Sequence, residues 1–239
     1  MFNKTLLCAA VGLVFSVAAI DAAHAAITVS APSQPAAPAP VPAGSTILYT
    51  QTGASTNGYS AQDFETANNA FDSELADDFT VPVGGWGVNS VNFAVTGSAG
   101  ANVAAATWNI RFYANNAGVP GAADAGCSYS ALAGAGGTAA GGTFTVTLPT
   151  QCNLTAGIHW FSAQARLDFT PNGQSFWSAF PAPVVGSSGV FRNPGGGFAN
   201  GCTAFTAIAG CALGSADPNM IFQLLGRTLP VTLQSYKVD

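Results

Sequence analysis

The sequence predicts an all-β fold, an antiparallel β-sandwich of jelly-roll-like form, set behind a signal peptide and a Pro/Ala linker. Three observations predict it. Apolar residues recur with period two in segment after segment. No segment carries a 3.6-residue apolar period. Each strand-like run is bounded by Gly, Pro or Asn.

The elements follow in chain order. Residues 1–25 have the secretory pattern: Lys4, an uncharged apolar run from Leu6 to Ile20, then Ala23-His24-Ala25 before a cut at Ala26. The run is shorter than the ~20 residues a membrane span needs. Cys8 lies inside the run rather than after it, which argues against lipid attachment there. No later segment is long and apolar enough to span a bilayer. Residues 26–44 alternate Pro and Ala, a spacer composition that favours extended chain. Residues 45–239 read as one sandwich domain.

Within that domain Val91, Phe93 and Val95 share a face, as do Phe144, Val146 and Leu148. Trp108, Ile110 and Phe112 share another, with Asn109 and Arg111 opposite. The pattern returns at Met220, Phe222 and Leu224, and at Leu229, Val231 and Leu233. Such alternation is the mark of half-buried antiparallel strands. Residues 158–166 and 174–180 are further strands, and 63–75 offers the best short helical turn. Residues 115–142 and 181–218, rich in Gly, Ala and Pro, read as long loops. An immunoglobulin-like sandwich is the alternative arrangement.

Composition narrows the function. Charged residues make up only 7% of the chain, against ~25% in ordinary domains. Past the signal segment the cations are Lys237, Arg111, Arg166, Arg192 and Arg227, which form no basic run. Nucleic acid is therefore not an expected partner, because phosphate neutralisation dominates that binding. Cys127, Cys152, Cys202 and Cys211 are an even set in an exported chain and read as two disulfides. Of three connectivities, Cys127–Cys152 and Cys202–Cys211 close the shortest loops. Each would contribute about 2–3 kcal/mol. Without a CxxC pair, and with His159 the only histidine past the signal segment, a zinc site is not expected.

One stretch is distinctive: Glu74-Leu75-Ala76-Asp77-Asp78-Phe79-Thr80-Val81-Pro82. It resembles a module of exported bacterial proteins in which an L-A-D-D-F-x-V-P strand leads a β-sandwich. The likeness continues at Trp108-Asn109-Ile110-Arg111-Phe112-Tyr113, at Gly118-Val119-Pro120-Gly121 and at Leu154-Thr155-Ala156-Gly157-Ile158-His159-Trp160. The family carries Tyr-Trp or Thr-Tyr-Trp at the last of these, where this chain has His159 before Trp160. The resemblance implies a sandwich fold and a secreted or periplasmic location rather than an activity.

Candidate sites are few. Asp72, Glu74, Asp77 and Asp78 would supply oxygens for a structural Ca²⁺, which takes six to eight such ligands. The simpler reading is a turn and strand in which Asp77 and Asp78 face opposite ways, the inward one bonded to backbone N–H groups. A glycosidase pair needs two carboxylates ~5–9 Å apart across a cleft, and nothing in the sequence sets two of them opposite one another. Trp177 or Phe176, beside Asn172 and Gln174, would form a sugar-stacking platform if one ring faced solvent. Core packing is the simpler role for these rings, as for Trp86, Trp108, Trp160 and Phe191. His159 lacks a Gly-x-Ser-x-Gly partner. The glycine-rich 191–198 loop lacks the lysine and following helix of a phosphate cradle. The leading expectation is a non-enzymatic binding or surface-interaction module, with a glycan or cell-envelope polymer as partner. A carboxylate-dependent polysaccharide hydrolase and a structural envelope protein are the other two classes.

Overall fold

A computed structural model describes residues 28–30, 41–181 and 183–230. The signal segment, residues 31–40 of the Pro/Ala stretch and the alternation at Val231 and Leu233 lie outside the described residues. Strands β1 (Thr28–Ser30), β2 (Thr46–Gln51), β3 (Asn57–Ser60) and β4 (Gln62–Asp63) lead to the acidic β5 (Glu74–Val81) and the long β6 (Trp86–Gly97). Then come β7 (Thr107–Asn116), β8 (Val119–Ala133), β9 (Ala135–Thr138), β10 (Gly141–Leu154), β11 (Gly157–Arg166) and β12 (Ser175–Phe180). Short strands β13 (Val190–Arg192), β14 (Thr206–Ala207) and β15 (Asn219–Met220) precede β16 (Phe222–Thr228).

These strands form two sheets, as the period-two pattern requires. The nine-stranded sheet runs β1-β3-β12-β6-β10-β9, with β16 between β6 and β2, and β15 on β12. The seven-stranded sheet runs β14-β13-β5-β11-β7-β8, with β4 beside β11. All pairings are antiparallel except β4 with β11. From β5 to β12 the chain passes repeatedly between sheets, the wiring expected of a jelly-roll-like sandwich.

The inner faces pack an aromatic core. Phe93 meets Trp108 at 4.6 Å and Trp108 meets Phe144 at 5.0 Å between centroids. Phe161 sits against both Trp177 and Phe222, linking the two sheets. At one edge the Cys127–Cys152 disulfide joins β8 of one sheet to β10 of the other. Rings that bridge sheets in this way carry most of the buried apolar area.

Two expectations change. Residues 115–142 are not a loop: β7 and β8 form a hairpin, turned at Gly118, whose N–H donates to Asn115 Oδ1. β8 is an edge strand exposed along most of its length, so Ala, Gly and Ser suffice there and no apolar alternation marks it. The short helical turn expected within 63–75 is a 3₁₀ turn over Thr66–Phe71, and β5 begins at Glu74. The Pro/Ala stretch is not wholly a spacer, because β1 pairs with Asn57–Tyr59 at the sheet edge.

Candidate functional site

The site is built on β5. Strand alternation turns Glu74, Ala76 and Asp78 to the outer face of the seven-stranded sheet, and Leu75, Asp77 and Phe79 toward the core. Neighbouring strands bring Arg192 from β13, Ser162 and Gln164 from β11, and Asn109, Arg111 and Tyr113 from β7 to the same outer face.

Glu74 is the hub, with its side chain only 4% exposed. Its Oε1 accepts from Tyr113 Oη at 2.6 Å, Ser162 Oγ at 2.8 Å and Arg111 Nη1 at 3.3 Å. Its Oε2 accepts from Arg192 Nη2 at 2.5 Å and Nε at 3.1 Å, a forked contact. Burial by itself would raise this carboxyl. The Arg192 and Arg111 guanidiniums and the Tyr113 bond outweigh it and hold the group below the usual glutamate range. Burial, with Glu74 close by, pushes the Tyr113 hydroxyl up, so it stays a donor.

From this hub the network continues along the face. Gln164 Oε1 accepts from Arg111 Nη1 at 3.0 Å and Asn109 Nδ2 at 3.2 Å. Asn109 Nδ2 also donates to Asp63 Oδ2 at 3.0 Å. The rim is Phe205, whose ring lies 4.2 Å beneath the Arg192 guanidinium and edge-on to Tyr113. Phe205 rides at the end of the 193–205 loop, which Cys202–Cys211 pins. The glycines of that loop have a local reason: a Cβ at Gly195 or Gly197 would lie 2.7 or 2.6 Å from backbone atoms of Ala70. Asn193 fastens the same loop by donating to the carbonyls of Ala70 and Asp72, both at 2.8 Å. Arg111 and Arg192 form the exposed top of the network, with side chains 26% and 33% accessible.

The sequence-predicted residues fall elsewhere, Glu74 apart. The four carboxylates do not converge. Asp72 accepts from the Phe64 N–H at 2.8 Å, and Glu74 holds the arginines. Asp77 points into the core, and Asp78 accepts from Ser187 N at 2.7 Å on the outer face. The inward aspartate bonds to backbone as expected, with Asp77 accepting from Met220 N at 2.7 Å and Asp78 N at 2.9 Å. Among the described residues no three His, Cys, Asp or Glu side chains are grouped to hold a metal ion. As placed, these residues do not fit Ca²⁺.

The aromatic platform is also corrected. Trp177 and Phe176 are both fully buried, so neither offers a face to a sugar. Trp177 donates to the Ile221 carbonyl from inside the core. Gln174 is buried on Ser60 Oγ, and Asn172 sits partly exposed on the short turn before β12. Trp86, Trp108, Trp160 and Phe191 are buried as well. His159 packs on Phe79 and bonds the Thr155 carbonyl. Both disulfides form as expected, with Cα separations of 5.0 and 5.9 Å. Sequence reasoning missed Arg111 and Arg192 as a pair. Their one signal is a Glu and an Arg on the polar faces of two apolar strands.

No family model matches the chain, and no curated protein matches it. Among solved structures the chain is similar to the cysteine protease and lectin-like domains of Cwp84, a surface layer associated protein of Clostridium difficile. The identity is 14% and the TM-score 0.46, over 65% of this chain and 32% of that one.

Proposed function

We propose that this protein is an exported binding module that attaches to a glycan or cell-envelope polymer by the outer face of its seven-stranded sheet. The observation that carries this reading is the fixed polar shelf of Arg111, Arg192 and Tyr113 on the buried Glu74. Side chains already held in one geometry lose little entropy when a ligand arrives. Planar donors beside the Phe205 ring suit a ligand that offers hydroxyls along its edge and an apolar ring face. Two disulfides support an exported role. Asp77 and Asp78 lie on opposite faces of one strand, so they do not flank a cleft as a glycosidase pair must.

Pull-down on a panel of insoluble polysaccharides and isolated cell envelopes tests the reading. The wild-type chain is expected to be retained by at least one of them. Phe205→Ala removes the rim ring and should weaken retention roughly three- to tenfold. Retention by none of the panel, with the protein folded, overturns the reading and leaves a structural envelope role.

A further inference from the structure

We infer that the ligand of this face is an acidic polysaccharide, one carboxylate per sugar unit, held by Arg111 and Arg192; this rests on the binding-module reading above. The chain is acidic overall, with net charge −5. Even so, Arg111 and Arg192, which lie far apart in sequence, meet on opposite oxygens of one carboxylate. Two guanidiniums against one Glu74 leave this spot with one positive charge in excess.

The donors left over point the same way. Arg111 uses only Nη1, on Glu74 and Gln164, and Arg192 uses Nε and Nη2. Among the described residues Arg111 Nε and Nη2 and Arg192 Nη1 have no hydrogen-bond partner. Glu74 faces inward and is filled by five donors, so it has no acceptor capacity left for these groups. The spare donors sit on the accessible side chains, and Phe205 fixes the plane of Arg192. A carboxylate from solvent matches a guanidinium edge in shape and cancels the single excess charge. A polyphosphate matches less well, since its charges lie closer together than one per sugar unit, so more of them meet the net negative charge of the rest of the chain.

Isothermal titration of the exported chain with polygalacturonate, neutral galactan and polyphosphate tests this. Polygalacturonate should bind, and galactan should bind at least about tenfold more weakly. Arg111→Ala and Arg192→Ala should each lower polygalacturonate affinity about tenfold or more. Arg227→Ala, at an exposed position bonded to Gln151, should change nothing. If removing a guanidinium from Glu74 prevents folding, Arg111→Lys and Arg192→Lys keep the charge. They should still lose affinity several-fold, because the fork is gone. Equal binding of galactan overturns the inference but leaves the binding module. Tighter binding of polyphosphate overturns the carboxylate assignment. Unchanged affinity in folded arginine variants overturns the site. Binding of none of the three overturns the inference, and the binding module then stands or falls with the polysaccharide and cell-envelope panel.

Discussion

Asp77 is a carboxyl in the middle of an aromatic core, and its removal should be among the costliest single changes in this domain. Its oxygens accept from Gln51 Nε2 at 2.6 Å, Met220 N at 2.7 Å and Asp78 N at 2.9 Å. Burial pushes this carboxyl well above the usual aspartate range, against the pull of those N–H bonds. Asp77→Ala strips all three donors of their acceptor. Gln51 keeps the Met220 carbonyl, at 3.0 Å, so two backbone N–H groups are orphaned outright. Each orphan costs about 1–3 kcal/mol, which sums to roughly 2–6 kcal/mol before any cavity. Whole domains are stable by only about 5–15 kcal/mol. Asp77→Asn keeps one acceptor oxygen and turns the other into a donor, so it should cost about 1–3 kcal/mol. Urea unfolding followed by tryptophan fluorescence reads both, since Trp177 bonds to Ile221, the residue after Met220. The midpoint should fall from wild type to Asn to Ala with an unchanged slope. An alanine variant within about 0.5 kcal/mol of wild type would refute the account. So would an asparagine variant as unstable as the alanine.

Two further outcomes follow from the same geometry. Asp72 is pushed up to about 6, chiefly by burial, from an ordinary 3.8. Between those values the folded chain holds a proton that the unfolded chain has released, so stability falls as pH rises through that window. Asp77 and Asp78, also raised by burial, act in the same direction. Glu74 acts oppositely: its contribution is complete above its ordinary 4.5 and is lost as pH falls through its lowered folded value. The melting temperature should therefore be higher at about pH 4.5 than at about pH 7.5, and a profile rising toward neutral counts against the placement of these acids. Gly226→Ala should destabilise by about 2–3 kcal/mol in a thermal melt. A Cβ there would lie 2.0 Å from the Gly87 carbonyl oxygen and 2.9 Å from Val88 Cα, both backbone atoms of the paired strand. A neutral result would mean that β16 and β6 are not this close.

The sandwich was legible because its inner strands bury one face and so alternate, as Trp108, Ile110 and Phe112 do. Edge strand β8 was not, because a strand exposed over most of its length needs no apolar period. The stacking platform failed at Phe176 and Trp177 for a related reason. Adjacent rings do take opposite faces, but both faces of β12 are buried, so alternation did not imply exposure. The local disulfides were readable from spacing and compartment. The arginine shelf was not readable from spacing at all. Arg111 and Arg192 lie on strands separated by β5 and β11, and only the sheet order brings them to one carboxylate.

The acidic motif of β5 therefore has a different meaning from the one its composition suggests. Four carboxylates within seven residues look like a single site for a cation. Each instead fastens a distant part of the chain: Asp72 the turn at Phe64, Asp77 the strand at Met220 and Asp78 the loop at Ser187. Glu74 alone has charged partners, and it alone passes its effect to accessible side chains. Its burial keeps solvent from competing for the guanidiniums, which fixes their planes, and its single charge is outnumbered by theirs. An aspartate here would be one methylene shorter and would not span from β5 to both β7 and β13. A glutamine would keep the length but leave two buried-side guanidiniums without a countercharge. The requirement for glutamate at position 74 is thus a requirement of the shelf, not of the strand. That is the physical reason to look for ligand recognition on this face rather than at the motif itself.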